Sequence, residues 1–73
     1  MSNYLVFIEY EILESSGYSD TKVFSCTVSA KDGSTAMAYV LTLFNSLSNY
    51  ADYSTNVNGD PYLKIDDVSF GNA

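Results

Sequence analysis

One stretch constrains the fold more than any other: residues 34–51, STAMAYVLTLFNSLSNYA, where apolar residues recur at helical spacing. On a wheel of about 3.6 residues per turn, the apolar residues collect on one arc and polar residues fill the opposite side. The arc contains Ala36, Val40, Leu43, Phe44, Leu47 and Ala51. We therefore predict a helix that begins between residues 32 and 35, ends near Tyr50 and supplies one layer of the core.

The start of this helix has several candidate caps. Ser29 followed by Asp32 resembles a capping box, and Ser34 or Thr35 offers a later N-cap. Asp32 also lies where the helix dipole favours a negative charge. The sequence leaves these alternatives open.

Alternation of apolar and polar residues predicts two strands before the helix, at Asn3–Leu13 and Thr21–Ala30, joined by a loop over Glu14–Asp20. In both strands the even-numbered residues are expected to face the helix. The odd-numbered residues of the first strand then lie on the other face; they are Leu5, Phe7, Glu9, Glu11 and Leu13. Leu5 and Phe7 are unusual there, because a monomer normally places polar groups on such a face.

After the helix, Tyr62–Phe70 reads as a strand whose apolar alternation slips by one residue, which predicts a β-bulge near Asp66 and Asp67. Residues 53–57 are predicted as a short strand that pairs across the turn at Asn58 and Gly59. We expect the last three residues to be frayed.

These elements predict a single small α+β domain over residues 1–73. It has two layers, an antiparallel sheet of three to four strands with one helix packed across one face. The order is β-β-α-β or β-β-α-β-β.

The charge is strongly acidic: three lysines, no arginine and nine carboxylates give a net charge of −6. Such a surface repels nucleic acids and anionic lipids, so we expect no direct nucleic-acid binding and no membrane association. It suits a basic protein partner, or serves solubility alone. No basic segment followed by an apolar one follows Met1, so the expected location is the cytoplasm, or that of the host cell if a phage encodes the chain.

Residues for catalysis or metal binding are scarce. Histidine is absent, and Cys26 is predicted to be a buried structural cysteine on the core face. Glu9 and Glu11 have a spacing that acid/base pairs can use, but we interpret them as solvated strand residues. The oxygen-rich segment 54–60 resembles a calcium loop without its acidic start and is interpreted as a hairpin turn. We expect no enzyme activity, no metal and no cofactor.

The main functional hypothesis is a non-catalytic acidic module that binds another protein with a basic surface. In its specific form it is a small inhibitor that blocks a nucleic-acid-binding site, its carboxylates standing in for phosphates. The short acidic build and element order are similar to those of small phage- or plasmid-encoded inhibitors, although no motif assigns a family. The candidate partner-binding residues are Glu9, Glu11, Asp66, Asp67, Tyr53 and Tyr62.

The alternative is a structural subunit that self-associates as a homodimer or larger assembly. Its candidate contacts are Leu5 and Phe7 on the sheet, or Thr42 and Asn45 on the uncharged helix. A third hypothesis is weak binding of an ion or small ligand at residues 56–60. Salt separates the first two, because added salt weakens charge-driven binding and strengthens apolar association.

Overall fold

The computed structural model describes residues 1–13, 17, 19–47, 51–52 and 62–73. The chain forms four strands and one helix: β1 (Ser2–Leu13), β2 (Ser19–Ala30), α1 (Gly33–Leu47), β3 (Ala51–Asp52) and β4 (Tyr62–Asn72). Within the described residues, no helix combines the length and the apolar character that crossing a membrane requires.

The sheet has the order β2-β1-β4-β3. The central strand β1 is antiparallel to both β2 and β4, and α1 packs across one face, so the predicted two-layer α+β class is confirmed. The two-residue strand β3 differs from the expected hairpin partner because it runs parallel to the start of β4. The strand predicted at residues 53–57 and its turn lie outside the described residues.

The first hairpin is longer than the sequence predicts. Ser19 and Asp20, which we assigned to the loop, belong to β2 and pair with Leu13 and Ile12. Because Ser19 and Asp20 are polar, the predicted strand begins two residues too late, although the ladder continues through them. Gly17 has a φ of 90° in the connection, a backbone conformation that glycine adopts without steric cost.

The prediction that the last three residues are frayed is wrong. Gly71 and Asn72 continue β4 opposite the first half of β1. The Ala73 N–H then donates a hydrogen bond to the carbonyl oxygen of Asn3 at 3.1 Å. Pairing with a central strand thus holds the end of the chain in the sheet.

The core lies between the helix and the even-numbered face of the sheet, as predicted. Val6 and Ile8 of β1 and Val40 of α1 are fully buried. Phe44 joins both strands of the first hairpin to the helix, with its ring centroid 4.9 Å from that of Tyr10 and 5.2 Å from that of Phe24. Both ring pairs are tilted, with interplanar angles of 55° and 48°, and aromatic pairs in contact contribute more than their buried area alone.

Asp32 is the N-cap of α1. Its Oδ1 accepts a hydrogen bond from the Thr35 N–H at 2.8 Å, and its carbonyl oxygen accepts one from the Ala36 N–H at 3.1 Å. The alternatives are wrong: Ser34 and Thr35 lie inside the helix, and the Ser29 hydroxyl donates to the side chain of Asn3.

The predicted end of the helix near Tyr50 is not among the described residues. The described part of α1 runs to Leu47, whose side chain is 62% exposed, and Ala51 lies in β3. Both residues fit the apolar arc of the wheel, but neither extends the packed face of the helix.

Candidate functional site

The sheet face opposite α1, which we call the outer face, is the main candidate surface. The helix packs on the other face, and no other helix or sheet within the described residues covers this one. Charged and apolar side chains of all three long strands are therefore presented together to solvent.

Strand pairing brings four of the proposed partner-binding residues onto the outer face. Glu9 lies directly opposite Asp67, and Glu11 lies opposite Lys64. Asp66 is adjacent, and its Oδ1 lies 3.6 Å from the Lys64 Nζ. We call Glu9, Glu11, Asp66 and Asp67 the acidic patch. Their spatial grouping could not be read from two segments more than fifty residues apart in sequence.

The predicted β-bulge completes this patch. The β1–β4 register shifts between Glu9 and Tyr10, because Glu9 pairs with Asp67 whereas Tyr10 pairs with Ile65. Asp66 is the extra residue. As a result both aspartates point to the outer face, while Ile65 and Val68 on either side of them point to the core. The bulge therefore doubles the negative charge that β4 contributes here.

Apolar residues adjoin the acidic patch. Val23 lies opposite Glu9 and is 59% exposed, and Phe7, two residues before Glu9, is 36% exposed. Leu5 continues this row and is half-buried. We call Leu5, Phe7 and Val23 the apolar strip. Val23 was assigned to the outer face by its alternation but was not recognised as a site residue.

The proposed tyrosines are less informative. Tyr62 lies in β4 opposite Leu13, but its side chain is outside the described part of the chain, as is all of Tyr53. The structure therefore gives no contact for either ring.

The proposed self-association residues lie on opposite sides of the molecule. Leu5 and Phe7 are on the outer face, whereas Thr42 and Asn45 are on the solvent side of α1. The Thr42 hydroxyl donates to the Ala38 carbonyl oxygen at 3.0 Å, which turns its polar group back onto its own helix.

A groove of about 420 Å³ lies beside α1; the described residues that line it are Tyr39, Thr42, Leu43 and Ser46. The Tyr39 ring is 67% exposed. The groove and the exposed ring of Tyr39 were not predicted from the sequence. Tyr39 and Leu43 are one helical turn apart, and this spacing indicates that their side chains lie next to each other on the helix.

Cys26 is half-buried rather than buried, which corrects the prediction in degree. Its side chain faces the core as expected, and it packs against the core cluster. The difference arises because β2 is the last strand of the sheet, so one flank of Cys26 has no neighbouring strand within the described residues.

Among the described residues, no group of three or more histidine, cysteine, aspartate or glutamate side chains is arranged to hold a metal ion. The acidic patch spreads along two strands, and Lys64 lies beside it. No protein-family model, curated protein or solved structure matches this chain.

Proposed function

We propose that this chain is a non-catalytic protein-binding module whose outer face binds a basic surface on another protein. Its specific role would be inhibition, with the acidic patch occupying a site that otherwise binds nucleic-acid phosphates. The observation that carries the proposal is the convergence of Glu9, Glu11, Asp66 and Asp67 beside exposed apolar residues on one uncovered face.

The acidic patch supplies charge complementarity. Carboxylates attract lysine and arginine and form paired hydrogen bonds with guanidinium groups, as phosphates do. Such complementarity accelerates association and discriminates against wrong partners more than it adds affinity. A row of carboxylates that lie close together is suited to a partner whose own surface is densely basic.

The apolar strip supplies apolar surface that a partner can cover, which the acidic patch does not. Exposed Phe7 and Val23 lie next to Glu9 on neighbouring strands, so a partner that neutralises the carboxylates also covers apolar surface. Interfaces commonly combine an apolar centre with a charged rim. We therefore expect the partner to carry aliphatic or aromatic side chains beside its basic residues.

The test is capture of partners from a lysate of the source organism on immobilised protein, followed by mass spectrometry. A supporting result is a nucleic-acid-binding protein that competing DNA or RNA displaces and that added salt releases. Glu9→Gln with Asp67→Asn should abolish its capture.

The matched control is Asp20→Asn with Asp32→Asn, which removes the same charge away from the outer face. The control variant should capture the partner as wild type does. Equal capture by both double variants would refute the proposal.

Self-association through the apolar strip is the second candidate, because Phe7 and Val23 are exposed on the outer face. Two copies placed face to face would, however, bring two acidic patches together. Phe7→Lys should then yield monomers if this face is used, and Asn45→Lys should do so if the helix is used.

A further inference from the structure

We infer that the outer edge of β2, which no strand within the described residues covers, pairs with the β2 strand of a second copy and joins the two sheets into one. This inference concerns the sheet edge and does not depend on the proposed binding role of the outer face. Three observations carry it: incomplete burial along β2, local charge neutrality, and the lack of proline, glycine, bulge or charge over residues 23–30.

The first observation is that the core stops abruptly at β2. On the helix side of the sheet, Val6 and Ile8 of β1 are fully buried, whereas their cross-strand partners Cys26 and Phe24 are only partly buried. Val28 in the same row is also partly buried. These residues pack against the core but have no neighbouring strand on their outer flank among the residues that the structure describes, and a further strand with an apolar row would cover them.

The second observation concerns charge. Over residues 19–32 the charges of Asp20, Lys22, Lys31 and Asp32 cancel, so the remaining seven carboxylates and one lysine carry the whole net charge of −6. Two copies repel each other over most of their surface. They can approach at β2 without bringing unbalanced charge together, because residues 23–30 carry no charge at all.

The third observation is that residues 23–30 of β2 lack the features that usually protect an edge strand; the two charged residues of β2, Asp20 and Lys22, come before this segment. Such strands are commonly blunted by proline, bulges or charges. The β1–β2 register runs without a shift over twelve residues, and the segment VFSCTVSA has no proline or glycine. The other long strand that flanks β1, β4, carries both a bulge and Asp66 and Asp67.

These observations favour a second copy over a foreign strand. An antiparallel pair centred on Cys26 places Phe24 opposite Val28 of the second copy, and aromatic and β-branched residues form favourable cross-strand pairs. The half-buried row of each copy then covers that of the other. The symmetry is two-fold, the usual one for homodimers, and both helices lie on the same side of the joined sheet.

The first test is sedimentation of the wild-type protein at a concentration on the order of 100 μM, above the micromolar dissociation constants of weak interfaces. The expected result is a dimer that tightens with added salt, since salt screens the remaining repulsion. A monomer under these conditions would overturn the inference.

Charged variants then locate the contact. Ser25 and Thr27 are exposed on the outer face and lie opposite each other across the proposed two-fold axis. Ser25→Asp with Thr27→Asp places like charges opposite each other, whereas Ser25→Asp with Thr27→Lys places opposite charges there. The dissociation constants should differ by about tenfold or more. Equal values would exclude this register.

A second like-charged variant, Ser25→Lys with Thr27→Lys, controls for net charge because it shifts the total in the opposite direction. Its dissociation constant should also be about tenfold or more weaker than that of the oppositely charged variant. Thermal unfolding of each variant checks that the fold is retained. A dimer that survives both like-charged variants but is lost in Phe7→Lys would place the contact on the outer face and contradict the inference.

Crosslinking at Cys26 tests the proposed register between the two β2 strands directly, because Cys26 is the only cysteine in the chain. A short bismaleimide should link two wild-type copies covalently. The control carries Cys26→Ser with Ser69→Cys, which moves the thiol to β4, and it should remain uncrosslinked. Equal crosslinking of the two proteins would overturn the proposed pairing.

Discussion

Asp67 of β4 lies directly opposite Glu9 of β1, so two carboxylates face each other across adjacent antiparallel strands on the outer face. Like charges in this position destabilise a sheet. A protein selected for stability alone would have little reason to keep both. The pair is therefore a place where binding and stability should respond in opposite directions to the same substitution.

We expect Asp67→Asn to stabilise the folded protein by about 0.2–1 kcal/mol, because it removes the repulsion between directly opposed side chains. Urea unfolding at low salt measures the change, and the gain should shrink as salt screens the repulsion. Asp66→Asn is the matched control: it removes the carboxylate 3.6 Å from the Lys64 ammonium, so it should not stabilise. Stabilisation by both variants would show that general charge reduction, not the opposed pair, is responsible.

Deletion of Asp66 should be tolerated. Without this residue the β1–β4 ladder becomes regular, and Leu63, Ile65 and Val68 still face the core. The variant should unfold cooperatively, with a melting temperature within about 8 °C of wild type, equivalent to roughly 1 kcal/mol.

Deletion of Lys64 is the control for the bulge. If the bulge at Asp66 is kept, Leu63 turns to the outer face. If β4 instead pairs with β1 without a bulge, Ile65 turns to the outer face and Asp66 turns into the core. Exposing one such aliphatic side chain costs about 1.5–3 kcal/mol, so this variant should be far less stable in the same thermal melt. Similar melting temperatures for the two deletions would contradict the bulge assignment.

Local periodicity was sufficient to predict much of this fold. Alternation in residues 3–13 identified which side chains of β1 are buried, and the phase slip after Ile65 located the bulge. Both are properties of a single strand. Leu47 and Ala51 fit the apolar arc of the helical wheel, yet Leu47 is exposed and Ala51 lies in β3, because a wheel contains no information about where the sheet beneath the helix ends.

The candidate site was only partly predictable, since it depends on which strands are neighbours. The acidic residues were singled out by charge, but their grouping follows from β4 lying beside β1. The half-burial of Cys26 follows from β2 lying at the edge. Strand order is set by long-range pairing, and a single sequence does not display it.

The cap of α1 should make stability depend on pH in the acidic range. The pKa of Asp32 is lowered, chiefly by the hydrogen bond from the Thr35 N–H, with smaller contributions from the Thr35 side chain and the charge of Lys31. A carboxyl with a lowered folded-state pKa stabilises the fold above its unfolded value, about 3.9. That contribution is lost as the pH falls through the folded value.

Comparison with Asp32→Asn isolates this effect, because asparagine also caps helices but does not titrate. The stability advantage of wild type over this variant should be constant above about pH 5 and should decrease as the pH falls below about 4 and through the lowered pKa of Asp32. Urea unfolding at each pH measures the difference. An advantage that does not decrease at acidic pH would contradict the assigned role of the carboxylate.

Gly33 and Phe70 should be energetically coupled. Gly33 is the buried first residue of α1, and the Phe70 ring of β4 lies directly against it, in the space that a Cβ atom would occupy. The same ring packs edge-on against Tyr4, with centroids 5.7 Å apart. Gly33→Ala should therefore displace the ring and destabilise the protein by about 1 kcal/mol, the lower end of the range for overpacked sites, because Phe70 is 46% exposed and can move outward.

Phe70→Ala removes the obstacle, so in that background Gly33→Ala should be neutral or slightly stabilising, as expected from the higher helix propensity of alanine. Ser34→Ala, an exposed substitution in the same helical turn, measures propensity alone. The interaction free energy from this double-mutant cycle, measured by urea unfolding, should be about 1 kcal/mol or more. If Gly33→Ala costs the same in both backgrounds, the close approach of β4 to the start of the helix is not what requires glycine at this position.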